Sequence, residues 1–282
     1  MTSTTPAVDL RVQPVDDILD RVARSLQTRF DSGSVVRKRR SVGAKTDRNT
    51  WVRIERRGVD RVSEQGWNGT ECAALLTGVE RPTWRTSVAW RERDAEVMWR
   101  ADETDLLLGD PIGTSVLAED PQLPDAWWTA LNSSLDALAA QHTRRIATPD
   151  TETFSQGLVT EKIRRAFPDV ADTAIEHWQP AHADLNWANM TKPEFSLFDW
   201  EDWGMAARGL DAASLWGNSL AVPALAERVL HERSSDFASR DGKLMTLFVC
   251  AKILSPDANP EDPRLVPALA MAKQVVGDLQ IV

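Results

Sequence analysis

The side chains best suited to chemistry lie in one stretch from His182 to Glu201, which reads HADLNWANMTKPEFSLFDWE. Asp184 follows His182 by two residues, Asn189 comes five residues later, and Asp199 comes ten residues after that asparagine. The spacing suits Asp184 for accepting a proton. Amide and carboxylate oxygens are hard ligands that suit Mg²⁺, so Asn189 and Asp199 are candidate metal ligands. The pattern predicts proton transfer beside a divalent cation.

This stretch resembles the catalytic and metal loops of the aminoglycoside phosphotransferase and choline kinase-like family, which are small-molecule relatives of the protein kinases. The family pattern HGDLxxxN…IDxE is matched by His182, Asp184, Leu185, Asn189, Asp199 and Glu201, with Ala183 where Gly is usual. The resemblance covers roughly residues 34–280 and is strongest from His182 to Leu215.

The resemblance implies an α+β fold of the bilobal protein-kinase-like type. A small N-lobe with an antiparallel sheet would occupy residues 1–100, and a mostly helical C-lobe would occupy residues 101–282. The implied enzyme moves the γ-phosphate of ATP or GTP to a hydroxyl group of a small molecule. Asp184 would orient that hydroxyl and take its proton, whereas His182 would support the metal loop through a hydrogen bond.

Two further acids in this region each have two interpretations. In the family, the residue equivalent to Asp211 braces the backbone of the catalytic loop, but a plain helix N-cap also explains an Asp before Ala-Ala-Ser-Leu. Glu201 either contacts metal or substrate or is a surface charge. Trp203 and Trp216 are expected near the substrate, although Trp on such helices is more often part of the core.

The N-terminal part departs from the family. Relatives use a strand Lys, paired with a helix Glu, to hold the nucleotide phosphates, and here the matching strand position carries Arg53. Glu71, in the run TECAALL, is the expected partner of Arg53. Arg reaches carboxylates and phosphates with a different geometry from Lys. The alternative is that Arg53 is an outward-facing residue beside Arg56 and Arg57.

The sequence has no glycine-rich G-x-G-x-x-G loop. Gly43 and Lys45, in a predicted hairpin turn, are the nearest substitute for covering the phosphates. Residues 101–105 are predicted to form the hinge between the lobes. Trp99 and Ala101, beside and within this hinge, are expected to contact the nucleotide.

Apolar spacing and turn residues predict the regular elements. Helices are expected at residues 15–30, 70–76, 125–142, 153–167, 215–233, 242–254 and 263–279. Two hairpins are expected, one from strands 34–40 and 50–57 with the turn at 42–49, the other from strands 86–90 and 96–100 around the turn 91–95.

Composition excludes several classes of protein. The net charge of −9 argues against a nucleic-acid partner, since phosphates require a basic surface. No apolar run approaches the length of a membrane span. The two cysteines form neither a metal spacing nor a disulfide framework. A cytoplasmic enzyme with a loosely held start at residues 1–14 is expected, and the oligomeric state is not predicted.

A second hypothesis is a catalytically inactive kinase-fold protein that binds nucleotide or serves as a scaffold. Arg53 and the lack of a glycine-rich loop favour it, but a scaffold has no need for Asp184, Asn189 and Asp199 together. Protein-kinase activity is disfavoured, because no activation loop fits between Asp199 and Asp211. The sequence does not identify the acceptor.

Overall fold

The computed structural model describes residues 9–62, 65–93 and 95–280. The chain divides into two compact units, one from Met1–Leu75 and Arg81–Leu108, the other from Leu76–Glu80 and Gly109–Val282. Asp94, in the predicted turn 91–95, and the first eight residues of the predicted loose start lie outside the described residues. Leu10, also in that start, is only 2% exposed and belongs to the core of the first unit, so the prediction is wrong there.

In the first unit, the described strands form a five-stranded antiparallel sheet in the order β1-β2-β3-β5-β4. Its elements are α1 (Asp16–Leu26), β1 (Val36–Arg37), β2 (Ser41–Lys45), β3 (Thr50–Gly58), α2 (Gly69–Ala73), β4 (Trp84–Arg91) and β5 (Val97–Asp105).

The two faces of this sheet differ because side chains alternate along each strand. On β3, Val52 and Ile54 are almost fully buried and join Val22 and Leu26 of α1 in one apolar core. The alternate residues of β3, which are Arg53, Glu55 and Arg57, carry charge. The sheet therefore has an apolar face under α1 and a charged face on its other side.

The first hairpin lies later in the chain than the spacing predicted. Its first long strand is β2 rather than residues 34–40, because Val42 and Ala44 face the core. A short turn closes it, with the Thr46 N–H donating to the Thr50 carbonyl at 2.9 Å. Gly43 and Lys45, expected in the turn, are therefore strand residues. Gly43 is needed there, since an added Cβ would lie 2.3 Å from the indole of Trp51.

The residues predicted to form a hinge, 101–105, are the last five of β5. Their strand pairs with β3 on one side and with β4 on the other. Trp99 and Ala101 are buried at 5% and 0% exposure in the core beneath α1. The geometry thus runs against the expectation that these two residues contact a nucleotide.

The second unit is mostly helical. Its elements are β6 (Asp110–Pro111), α3 (Asp125–Ala139), α4 (Gln156–Ala166), β7 (Trp178–Ala181), β8 (Thr191–Lys192), β9 (Gly204–Ala207), α5 (Leu210–Ser219), α6 (Pro223–Glu232), α7 (Ser234–Ala238), α8 (Arg240–Ile253) and α9 (Leu265–Gln280). The single helix predicted at 215–233 is two helices, because Pro223 starts a new one in the first-turn position that proline favours.

Two short ladders hold the segment from 182 to 203, and one of them pairs β6 with β8, with Asp110 opposite Lys192. Strands β7 and β9 pair antiparallel, with Ala181 opposite Gly204. Between them, Trp187 is fully buried, stacks on Trp127 of α3 at 6.1 Å and donates its indole N–H to Ser219 of α5. The loop after β7 is therefore anchored in the core. Among the described residues, no helix has the length and apolar character needed to cross a membrane.

Candidate active site

Asp211 fixes the start of the loop that follows β7. Its two carboxylate oxygens accept the backbone N–H groups of His182 and Ala183 at 2.7 and 2.9 Å. Asp211 lies inside the first turn of α5, whose N-cap residue is Gly209. The N-cap interpretation is therefore wrong, and the predicted bracing of the loop backbone by Asp211 is confirmed.

Ala183 has a backbone conformation that favours glycine. It is buried and adopts a φ of 67°, in the left-handed region that L-residues other than glycine enter at a cost. The brace from Asp211 and the burial of the methyl group hold Ala183 in this conformation. The departure from the family pattern thus keeps the turn and adds local strain.

His182 joins the loop that follows β7 to the segment that ends at Asp199. The ring is fully buried, and its Nε2 lies 3.0 Å from the carbonyl oxygen of Phe198. When Nε2 carries the proton, it donates a hydrogen bond to that oxygen. Nδ1 has no hydrogen-bond partner among the described residues, as fits that tautomer. The ring also packs edge-on against Trp200 at 4.7 Å. The hydrogen bond predicted for His182, to the backbone just before Asp199, is confirmed.

Two side-chain amides orient the carboxylate of Asp184. Asn189 Nδ2 donates to Asp184 Oδ2 at 2.8 Å, and Asn186 Nδ2 donates to Oδ1 at 3.0 Å. Both amides also donate to the Asp184 backbone carbonyl. Asn186 in addition caps the short helical turn after it by accepting the Ala188 N–H. The carboxylate is therefore fixed in one orientation before any ligand arrives.

Three carboxylates influence one another at this site. Burial raises the pKa of Asp184, and the charge of Asp199 raises it further, against the opposing effects of His182 and the amide bonds. Burial also raises the pKa of Asp202, with added repulsion from Asp184 and Asp199. Thr148 opposes this by donating to Asp202 Oδ1 at 2.7 Å. Such mutual repulsion makes the cluster a favourable place for a cation.

The donor atoms fit a magnesium ion held by few protein ligands. The Phe198 N–H donates to the Asn189 carbonyl at 3.0 Å, which brings the residue before Asp199 against Asn189. The amide nitrogen of Asn189 faces Asp184, and none of the described residues donates to its Oδ1. No group of three or more His, Cys, Asp or Glu within residues 9–62, 65–93 and 95–280 is arranged to hold a metal. Mg²⁺ commonly takes one or two protein oxygens plus phosphates and water.

Two of the three residues expected near the substrate, Glu201 and Trp203, lie around one arginine. Arg145 donates to the backbone carbonyls of Glu201 and Trp203 at 3.3 and 3.2 Å, and its guanidinium lies over the Trp203 ring. Trp203 is 4% exposed, and Trp216 is 1% exposed and packs against Phe237. The two indoles are core residues in this structure, which leaves Glu201 as the half-buried member of the set.

The predicted pair between Arg53 and Glu71 is wrong. Glu71 pairs with Arg100 of β5 at 2.9 Å, and Arg100 also holds both carboxylate oxygens of Asp102 at 2.7 Å. Arg53 lies on the same charged face, on β3 opposite Asp102 of β5. Its Nη1 is 3.5 Å from Oε2 of Glu55. The register of β3 against β5 brings Arg100 rather than Arg53 to the glutamate. Burial opposes the charge of Arg100, but Asp102 and Glu71 outweigh it and raise its pKa.

Sequence reasoning missed four residues of these sites, Asn186, Arg145, Asp202 and Arg100. Asp202 was visible as the last acid in the run Asp-Trp-Glu-Asp from Asp199. Arg100 had no signal in the sequence, because its role depends on which strands are neighbours.

Comparison with known proteins places the fold. Neither the protein-family models nor the curated protein sequences contain a match to this chain. The geometry of both units is that of the protein-kinase-like α+β class, as predicted.

Three similar solved structures are small-molecule kinases. A choline/ethanolamine kinase family protein from Mesorhizobium loti is 13% identical, with 95% of this chain and 99% of that chain covered and a TM-score of 0.60. For the aminoglycoside phosphotransferase APH(4)-Ia, the identity is 11%, the coverage 94% and 99%, and the TM-score 0.59. The amicoumacin kinase hAmiN, solved with AMP-PNP, Ca²⁺ and Ami, is 12% identical, with 94% of each chain covered and a TM-score of 0.54. At these identities the likeness shows the fold.

Proposed function

We propose that this protein is a small-molecule kinase that transfers the γ-phosphate of ATP or GTP to a hydroxyl group of its substrate in a Mg²⁺-dependent reaction. The observation that carries the proposal is the fixed Asp184 carboxylate, held by two amides beside Asp199 in a loop braced by Asp211. The kinases of the same fold, one of them solved with AMP-PNP and a metal ion, support the proposal.

Asp184 would orient the acceptor hydroxyl and take its proton. In phosphoryl transfer the protein contributes mainly positioning and neutralisation of charge, so a weak base in the right place is sufficient. The bonds from Asn186 and Asn189 restrict the carboxylate to one direction, and its raised pKa makes it a better proton acceptor than an exposed Asp.

Asn189 and Asp199 would hold the metal ion, which neutralises the charge of the phosphates. His182 would keep the two ligands in register, because its ring bonds the carbonyl immediately before Asp199. In the other unit, Arg53 is the residue we assign to the nucleotide phosphates, with its side chain 32% exposed on the charged face of the sheet. Lys45 is the alternative cation for that role. The cytoplasmic location stays a prediction.

Two measurements test the proposal. Nucleotide with Mg²⁺ should raise the melting temperature, as any ligand that binds only the folded state does. A screen of small alcohols and amino alcohols should then find an acceptor that causes nucleotide consumption, with Asp184→Ala as the inactive control. Mg²⁺-dependent nucleotide binding without consumption by any acceptor would favour the inactive scaffold, and the absence of both effects would overturn nucleotide binding itself.

A further inference from the structure

Trp51 differs from the other tryptophans in what surrounds its indole. Of the 12 tryptophans in the chain, all but Trp51 have an indole hydrogen bond, a neighbouring aromatic ring or a guanidinium over the ring within the part of the chain that the structure describes. Trp51 has no such contact with the described residues, and it is only half-buried. The fold therefore leaves one indole available to a ligand.

A glycine determines where this indole lies. Trp51 of β3 is opposite Lys45 of β2 in the ladder. Two residues further along, Arg53 is opposite Gly43. Residues that are opposite one another, or two apart along a strand, share a face of the sheet. The Trp51 ring lies against Gly43, where an added Cβ would be 2.3 Å from Cζ2 and 2.8 Å from Cε2. Gly43 therefore makes room for the indole on the charged face, beside Arg53.

Cations flank the indole on this face. Lys45 is exposed and forms no ion pair with the described residues. Arg53 follows two positions along β3, which is roughly 7 Å away. The acid opposite Arg53 is Asp102, and its carboxylate is already engaged by Arg100 at both oxygens and by the indole N–H of Trp84. An aromatic surface between two cations suits a planar ligand that carries negative charge.

We propose that the purine base of the nucleotide stacks on Trp51, with the phosphates on Arg53. The inference rests on the function proposed above, which supplies the nucleotide. It gives Trp51 the contact that the sequence suggested for Trp99 and Ala101, which are buried beneath α1. The spacing agrees, because a ribose separates base from phosphates and two strand positions separate the indole from the guanidinium. Aromatic stacking tolerates any base, so Trp51 contributes equally to the binding of ATP and GTP.

A comparison between nucleotides and a ligand without a base tests the inference. Calorimetric titrations in the presence of Mg²⁺ use AMP-PNP, GMP-PNP and inorganic tripolyphosphate. In Trp51→Ala, the affinity for both nucleotides should fall by about tenfold, within the range that loss of one base–aromatic stack produces. The affinity for tripolyphosphate should stay at the parent's value. Arg53→Met should instead weaken the binding of all three ligands, because each of them carries phosphates.

Trp90→Ala is the matched control. It removes a half-buried indole from the opposite face of the same sheet, where Trp90 stacks on Trp99 at 6.1 Å, and should leave the three affinities unchanged. Trp51→Phe keeps an aromatic ring and should restore most of the nucleotide affinity. If Trp51→Ala does not fold, Gly43→Ala is the second test. Its methyl group must displace the indole, so nucleotide binding should weaken while tripolyphosphate binding persists.

The outcomes separate this inference from the proposed function. Unchanged nucleotide affinity in Trp51→Ala would overturn the inference alone, as would equal losses for nucleotides and tripolyphosphate or equal losses in Trp90→Ala. A parent that binds AMP-PNP but transfers phosphate to no acceptor would overturn the proposed kinase and leave the stacking contact standing. A parent that binds none of the three ligands would overturn both.

Discussion

The side chain of Asn189 points its amide nitrogen at the Asp184 carboxylate, with 2.8 Å between Nδ2 and Oδ2. A proposed metal ligand and the proposed proton acceptor therefore set one another's orientation. Asn189 turns its nitrogen towards the carboxylate, and its oxygen is the atom that we propose for the cation. A change at either residue is expected to affect the other.

Asp184→Asn is predicted to lower turnover by about 10²–10⁴-fold, the usual contribution of general acid–base catalysis. It should also weaken the Mg²⁺ dependence, because the new amide nitrogen would face the nitrogen of Asn186 or Asn189, one of which must turn round. Single-turnover transfer and Mg²⁺ titration of nucleotide binding measure the two effects. Transfer at the parent's rate would remove Asp184 from the mechanism, and an unchanged Mg²⁺ titration would show that Asn189 keeps its orientation.

Asp199→Asn is predicted to weaken Mg²⁺-dependent nucleotide binding sharply, since it removes a negative oxygen ligand and nearly keeps the shape. Asp202→Asn is the matched control, because it removes a charge from the same cluster and keeps an acceptor for Thr148. Isothermal titration with Mg²⁺ and a non-hydrolysable nucleotide compares them. Equal losses in the two variants would show that overall charge, rather than ligation by Asp199, governs binding.

Asp202→Asn is also predicted to stabilise the folded protein at neutral pH. Because burial raises the pKa of Asp202, the charged form opposes folding, and this cost is present when the pH exceeds the raised pKa. The gain should be present at pH 7.5, where the parent pays the cost of the buried charge. It should vanish as the pH falls to the ordinary range of Asp, where the parent is protonated too. Urea unfolding at several pH values measures it, and a gain that does not depend on pH would contradict the electrostatic cause.

Ala183→Gly is predicted to stabilise the protein by about 1 kcal/mol, since glycine adopts a φ of 67° without the steric cost that alanine has there. Ala181→Gly, in the adjacent strand β7, provides the matched comparison and should destabilise by about 0.5–1 kcal/mol. Thermal unfolding of both variants measures the two changes in stability. Destabilisation of similar size in the two would mean that the buried methyl group matters more than the backbone conformation at Ala183.

Arg53→Met is predicted to raise the KM for nucleotide with little change in stability, since its side chain is one-third exposed. Arg100→Met should instead destabilise the first unit by about 3–5 kcal/mol, because it leaves Glu71 and the half-buried Asp102 without their cation. Nucleotide titration and urea unfolding separate the two effects. Unchanged nucleotide affinity in Arg53→Met would show that another cation binds the phosphates. Lys45→Met would then be the variant to test.

The arrangement of Asp184 and Asn189 was predictable because the contacts between them are local. Asp184, Asn186 and Asn189 bond one another within five residues, so their spacing in the sequence carries the geometry. The partner of Glu71 was not predictable in the same way. It depends on the pairing of strands separated by some forty residues and on which side chains that register turns to one face.

The pairing of Ala181 with Gly204 has a consequence for how this chain tolerates changes in length. The ends of the intervening segment are held opposite one another in the ladder, so residues 182–203 form a closed loop of fixed circumference. Strand β9 cannot shift its register against β7, since a Cβ at position 204 would lie 2.5 Å from the backbone of Ile146 and Ala147. An inserted or deleted residue inside this loop must displace Asp184, Asn189 or their neighbours. The long connection between β6 and α3 differs, because its two ends are not paired with each other in a ladder.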